Sequence, residues 1–320
     1  MKIFCTPQEI TPDIANSDLG TEIQLMDNIN GFNKELKNDT FELIKQHTLT
    51  VWTQYMFNEQ VKANYPNFNF KCDAKFTDNE SSHHVLASLL PCSDIPTYKD
   101  FKNFVCSFNG ASREDRYFLT AVLYKMGWFN SEYSSKNFSY SKQQLESHLS
   151  TFNTVQEYQD FILSDTDSAL QFYQTTVGFE YVSWEHANNI NILYNKINNS
   201  FVQLVGETLA TSYHPFVSEK FIQPIVCKSL WVAYAQPGYY AYLEKYYGFK
   251  KYNKLFDYSF DTIEHPVERL VAIIKMLSKY ANLSPTEWHD LYLTELETIE
   301  YNYNQYFSQN YLTQIINADQ

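Results

Sequence analysis

Glycine and proline are scarce, 8 and 10 residues in a chain of 320, while aromatic residues reach 17%, with 26 Tyr and 24 Phe. Disordered chains lack that apolar and aromatic content, so the composition describes a folded, helix-rich protein. No run approaches 18 apolar residues, and the start, MKIFCTPQEITPD, has no long apolar core. Neither a signal peptide nor a transmembrane helix is expected. There is no CxxC and no Cys/His metal spacing. The five cysteines (Cys5, Cys72, Cys92, Cys106, Cys227) are odd in number and widely spaced, which reads as free thiols in a reducing, cytoplasmic compartment. In such a compartment the glycosylation tripeptides at Asn137, Asn198 and Asn282 carry no meaning. P-loop, GxGxxG, GxSxG and HExxH motifs are all missing. Positive charge is in deficit too: the formal net charge is -13, a field that repels phosphate backbones and disfavours a general nucleic-acid binder. The one dense basic cluster, EKYYGFKKYNK, holds Lys245, Lys250, Lys251 and Lys254.

What is present alternates. No internal repeat occurs, and the length suits two domains more readily than one. The first hundred residues contain helical patterns, notably FELIKQHTLTVWTQYMFNEQV (41–61), and end in the turn-rich LLPCSDIPTYKD. A new unit opens at FKNFVCSFNG, a short apolar strand stopped by Asn109-Gly110. SREDRYFLTAVLYKMGWF then reads as a helix with Ser112 as cap, Asp115 three later, an apolar face of Phe118, Val122, Leu123 and Met126, and Gly127 as the stop. SFVQLVGE reads as a strand, VSEKFIQPIVCKSL as a helix made irregular by Pro224, LWVAYA as a buried strand and GYYAYLEKYYG as a short helix. FKKYNKLFD reads as a strand and loop. Two long helices follow, HPVERLVAIIKMLSKYA and SPTEWHDLYLTELETIEYNYNQYF, the second opened by a Ser284/Glu287 capping box. The expectation is an α/β protein of two lobes with parallel sheets, divided near residue 100 into 1–100 and 101–320.

In open α/β sheets ligands bind beyond the carboxyl ends of the strands, beside helix N-termini. Three places meet that description. Arg113 and Arg116, three apart at the start of the first helix, offer two forked donors to an anion, or else pair with Glu114 or Asp115 on the surface. Glu219 and Lys220 follow the candidate cap Ser218. There a Lys meets a phosphate and a Glu accepts two hydroxyls, unless the two form a solvated ion pair. Gly206-Glu207-Thr208 puts a carboxylate at a strand end, as a site residue or an ordinary loop acid. The DxD at Asp165 and Asp167 is a metal pattern or a loop or helix cap. His83-His84 and the WEH at Trp184 to His186 lack partner spacing, so no metal site is assigned.

FVQLVGETLATSYHPFVSEKFIQPI resembles the donor-site signature of fucosyltransferase-like sugar transferases. It resembles even more a related group from tailed phages and giant viruses. Their further motifs have counterparts in Pro224, Pro237-Gly238, Tyr242-Leu243, Gly248-Phe249, DYSFD (Asp257 to Asp261) and Pro266 with Arg269, and KNFVCSFNGASREDRYFLTAVLYKMGWF is similar to their strand and arginine helix. The likeness runs over roughly residues 102 to 307. It implies a GT-B arrangement of two Rossmann-like lobes, an acceptor-side lobe over 1–100 and a nucleotide-sugar lobe over 101–320, with C-terminal helices packing across them. It also implies a nucleotide-sugar donor, no obligatory metal or separate cofactor, and for a viral protein the host-cell cytoplasm. Carried over by position, Arg116 and Lys220 would neutralise the donor diphosphate; Arg113 joins the donor-binding residues from its place at the helix start. Glu219 would hold the ribose hydroxyls and Glu207 would contact sugar or ribose. Cations aimed at a leaving diphosphate supply electrostatic catalysis. Phe221, Gln223 and GFKKY depart from the pattern and leave the donor identity open. No general base is assigned.

Two rivals stand beside a glycosyltransferase. One is a non-catalytic α/β binding protein that retains the donor-half fold. The other is a metal-dependent transferase or phosphodiesterase using Asp165 and Asp167. The acceptor, whether glycan, small molecule or hydroxymethylated base in phage DNA, stays open. Net charge counts against duplex DNA, and the Lys245 to Lys254 cluster alone favours it.

Overall fold

The computed structural model describes residues 2–5, 22–26, 49–53, 66–72, 99–110, 114–151, 156–163, 167–178, 187–207, 210 and 219–308. Near the N-terminus, β1 (Lys2–Cys5), β2 (Glu22–Met26), β3 (Leu49–Thr53) and β4 (Phe68–Cys72) form a parallel sheet in sequential order. The helical reading of 41–61 is thereby corrected at its centre. LTVWT, rich in β-branched residues, pairs on both sides, Ile23 with Leu49 and Thr50 with Asn69. Two strand partners outweigh an apolar spacing that a short window shares between helix and strand.

From Lys99 on, the chain builds a second parallel sheet. Its strands are β5 (Asn103–Cys106), β6 (Phe108–Asn109), β7 (Ser135–Lys136), β8 (Ser200–Gly206) and β9 (Leu230–Tyr234). β8 lies between β5 and β9, and β7 pairs with β6. Only Ser107 separates β5 from β6, and its carbonyl accepts from Ser135 N at 3.0 Å, so the two act as one interrupted strand. The order is then β7, β5/β6, β8, β9, or second-first-third-fourth. That is a doubly wound α/β order whose reversal lies between the first and third strands. β8 is buried along its whole length, as a strand covered on both faces must be.

The helices are α1 (Glu114–Lys125), α2 (Lys142–Thr151), α3 (Gln156–Leu163), α4 (Asp167–Gln174), α5 (Ala187–Asn198), α6 (Ile222–Val226), α7 (Tyr239–Tyr242), α8 (Pro266–Ser278), α9 (Pro285–Thr294) and α10 (Leu296–Phe307). α1 ends as expected before Gly127, whose φ of 70° suits only glycine without strain. Met126 falls beyond the helix and is exposed. The capping box at Ser284 and Glu287 forms.

The last helix of the sequence reading is in fact two. Glu295, buried, breaks it by turning its carboxylate to the N–H groups of Lys254 and Leu255, at 2.6 and 3.2 Å. Those bonds also explain why 249–257 is no strand. Asn302 brackets Lys250, accepting from its N–H at 2.8 Å and donating to its carbonyl at 2.9 Å. Side chains thus satisfy the backbone that a strand neighbour would otherwise serve. Phe249, Tyr252 and Phe256 anchor the loop in the core. Among the described residues no helix is long and apolar enough to cross a membrane.

The amino ends of the strands are tied by Lys99, 3% exposed. Its ammonium donates to Asn198 Oδ1 (3.1 Å), Ser229 Oγ (2.8 Å) and the carbonyls of Cys227 and Lys228, and lies 4.8 Å from the Tyr292 ring centroid. Burial pulls its pKa from 10.5 down to about 7. Cys106 and Cys227 are free, buried thiols, pushed up to about 12 by the same burial, which leaves them unreactive. A lowered lysine pKa means that the unfolded chain holds more protons between about pH 7 and 10.5, so stability rises with pH across that window. Urea unfolding of the wild type and Lys99→Met from pH 6.5 to 9 should show this slope in the wild type and a flatter one in the variant.

Candidate functional site

The reversal of strand order lies between β5/β6 and β8, and the first turn of α1 stands against the carboxyl end of β8. Gly206 ends β8 facing α1. A Cβ there would lie 2.9 Å from Asn109 Oδ1, 2.9 Å from Leu119 Cδ2 and 3.6 Å from Arg116 Cγ. Glycine therefore lets helix and strand close together, and it brings the stem of Arg116 onto the strand end. Arg116 is 3% exposed. It is no surface ion pair. Arg113 lies outside the described residues, as do Ser112 and Asp165; of Glu219 and Asp167 only the backbone is described.

Asp115, read as a capping acid, is buried and bridges two elements. Oδ1 accepts from Arg116 N and Oδ2 from Ala210 N, each at 2.8 Å. Ala210 is held from its other side by Arg269, 1% exposed, whose Nη2 donates to the Ala210 carbonyl at 2.6 Å. The same guanidinium donates through Nε to Ala235 O at 2.8 Å, and through Nη1 to Ile263 O and, at 3.1 Å, to Glu264 O. One cation thus ties the chain after β8, the chain after β9 and the approach to α8.

Side-chain alternation along β8 turns its other residues away from α1. Gln203 meets Gln223 of α6, with Nε2 donating to Oε1 at 3.3 Å, and its register partner Trp231 stacks on Tyr240 of α7 at 5.5 Å. Glu207 follows that side. It is 0% exposed and accepts the Tyr239 hydroxyl at 2.7 Å. Arg116 and Glu207, adjacent at the strand end, therefore belong to opposite faces of the sheet.

Lys220, half-buried, sits in a 3-10 turn (Glu219–Phe221) that leads into α6 on the Glu207 side. The helix is irregular, as expected around Pro224: a 3-10 turn runs into a short α-helix that ends at Val226. Two of the departures from the resembled pattern, Phe221 and Gln223, are packing choices. Phe221 is buried against Trp231, Tyr247 and Phe249, at 6.0, 6.2 and 5.4 Å between ring centroids. Gln223, buried beside Gln203, stands where a basic residue would bury a charge.

The turn-forming motifs of the resemblance act as scaffold. Gly238, at φ 74°, starts α7, and Asp261 caps it by accepting from Tyr240 N at 3.1 Å and Ala241 N at 3.2 Å. Burial pushes the Asp261 carboxyl upward and those N–H groups pull it back. Asp257 caps the next turn through Ser259 N. Gly248, at φ 70°, closes a π-helical turn (Leu243–Tyr247). Tyr239 and Asp115 were not predicted as site residues. The only hint of Tyr239 was its place after Pro237-Gly238.

Asn109 Oδ1 and Tyr234 Oη, on strands flanking Gly206, are buried without a hydrogen-bond partner. Among the described residues no group of three or more His, Cys, Asp or Glu side chains is placed to hold a metal ion. The basic cluster is largely occupied locally. Lys251 pairs with Glu244 at 2.6 Å, Lys250 lies 3.8 Å from the Tyr301 ring centroid, and Lys254 donates to Thr294 O at 2.9 Å.

Compared with protein-family models, curated proteins and solved structures, the chain matches none.

Arg269→Leu strands four carbonyl oxygens and should cost about 3–5 kcal/mol in urea unfolding. A loss below about 1 kcal/mol would refute the clamp. Gly206→Ala should cost about 1–3 kcal/mol by overpacking, read as a lowered melting temperature.

Proposed function

We propose that the protein is a nucleotide-sugar-dependent glycosyltransferase of GT-B type, with the donor held by the part that begins near residue 101. One observation carries the reading. At the order reversal of a doubly wound sheet, a cation on the first turn of one helix (Arg116) lies against the central strand's last residue, Gly206, on one face, and the acid that follows it (Glu207) lies on the other. A second cation, Lys220, lies in the turn on the acid's side. Nucleotides bind at such reversals, because helix N-termini and strand ends present donors to phosphate while acids accept ribose or sugar hydroxyls.

In this reading Arg116 and Lys220, with Arg113, face the diphosphate, and Glu219 and Glu207 take hydroxyls. Charge building on the leaving nucleoside diphosphate is stabilised by those fixed cations. The first lobe binds the acceptor and supplies the base, and the closing helices reach across both lobes. Transfer proceeds without an obligatory metal.

A second reading, a binding protein without transfer activity, is favoured by the complete burial of Glu207 under its bond to Tyr239.

The test is thermal shift and donor hydrolysis with UDP-, GDP-, ADP- and CMP-sugars. Ligand at a hundredfold over its Kd adds about 2.7 kcal/mol to the folded state, a clear rise in melting temperature. Lys220→Ala should weaken the effective donor roughly tenfold, by loss of a charge-assisted phosphate contact, and chelator should leave hydrolysis unchanged. Stabilisation by no nucleotide sugar sinks the proposal. Stabilisation without hydrolysis or transfer selects the binding-protein reading. Sensitivity to chelator returns Asp165 and Asp167 to consideration.

A further inference from the structure

Glu207 is placed by more than its strand. Its carboxylate oxygen Oε1 takes the Tyr239 hydroxyl at 2.7 Å, and both side chains are buried. Tyr239 is in turn located by the turn that starts α7. Gly238 adopts φ 74° to start α7, and its N–H donates to the Asp261 carbonyl at 2.7 Å. The Asp261 carboxylate then receives the next two N–H groups of α7, from Tyr240 and Ala241. The neighbouring ring, Tyr240, is pinned by donation from Ala233 N to its hydroxyl and by stacking on Trp231 at 5.5 Å. Turn, cap and stacked neighbour together set the start of α7, from which the Tyr239 hydroxyl reaches Glu207 at the end of β8.

We propose that Tyr239 is a positioning residue that fixes Glu207 as an acceptor for the hydroxyls of a polyhydroxylated ligand. The proposal rests on the donor reading given above and extends it to the substrate's chemistry. A carboxylate only accepts hydrogen bonds, and a phenol O–H donated to one of its oxygens holds it in one orientation. A carboxylate so held refuses phosphate by like charge and welcomes a hydroxyl, which donates. The ligand is then divided by chemistry, with anionic groups toward Arg116 and Lys220 and neutral hydroxyls toward Glu207. Fixing the rotamer beforehand spares the ligand that ordering cost. Because Glu207 is 0% exposed, the ligand hydroxyl reaches it by displacing what covers the strand end.

The division of labour is testable with two probes on the full chain: whichever nucleotide sugar stabilises the wild type, and inorganic pyrophosphate, which has the charge and no sugar. Tyr239→Phe removes only the donated hydroxyl. It should weaken the nucleotide sugar about tenfold while leaving pyrophosphate affinity unchanged. Glu207→Gln should do the same, and the double variant should bind no worse than Glu207→Gln alone, since both act through one carboxylate. A merely structural Tyr239 would lower the melting temperature and weaken both probes together, which overturns the proposal. So does additivity in the double variant. If Tyr239→Phe melts too low to assay, the contrast between probes in Glu207→Gln decides alone. Failure of the wild type to bind any nucleotide sugar removes the donor reading and this proposal with it, whereas wild-type binding with an indifferent Tyr239→Phe removes the proposal only.

Discussion

The candidate site depends on the buried guanidinium of Arg269. A planar cation with five donors, held away from water, is stable only when those donors are met. Here four of them are met by carbonyls rather than carboxylates, from Ala235, Ala210, Ile263 and Glu264. Each carbonyl belongs to chain that has just left an element or is about to enter one. The ends of β8 and β9 therefore leave the sheet at set angles. Asp115 completes the arrangement from the other side, holding Ala210 N while anchored on α1. A lysine could not replace the arginine, because a point charge does not fork toward diverging acceptors.

The same logic, buried charge satisfied by backbone, recurs at the far edge. Lys99 gathers oxygens at the amino ends of the strands, and Lys136, also buried, donates to the carbonyls of Phe138 and Thr175. Burial draws the Lys136 pKa down to about 8. Glu295 and Asp261 are the anionic counterparts, accepting backbone N–H groups of a loop and of a helix. Among the described residues, Lys99, Lys136, Arg269, Glu295 and Asp261 serve as joints between segments.

Much of this was legible beforehand where local rules govern. Gly127 ended a helix because its backbone needed positive φ, and Ser284 with Glu287 opened one because their side chains reach orphan N–H groups. The strands at 103–106, 200–206 and 230–234 followed from short apolar runs bounded by turns. Local rules failed where a distant partner decided the outcome. LTVWT became a strand through two neighbours, and the Lys250 stretch lost its strand to Asn302 and Glu295. Of the candidate site, Arg116 and Glu207 were singled out from their places at a helix start and a strand end. Tyr239 was not, since nothing local in an aromatic-rich chain sets one tyrosine apart.

The sequence by itself determined the class of fold and the ends of its elements, because helix and strand periodicity, caps and glycine turns act over a few residues. It also marked which acids and bases stand at strand ends and helix starts. Only the tertiary structure decided which face each of them serves. Arg116 and Glu207 fall on opposite sides because side chains alternate along β8 and the strands reverse order beside it. That arrangement is a property of the assembled sheet, in which residues 90 or more apart become neighbours, and no short stretch of the chain contains it.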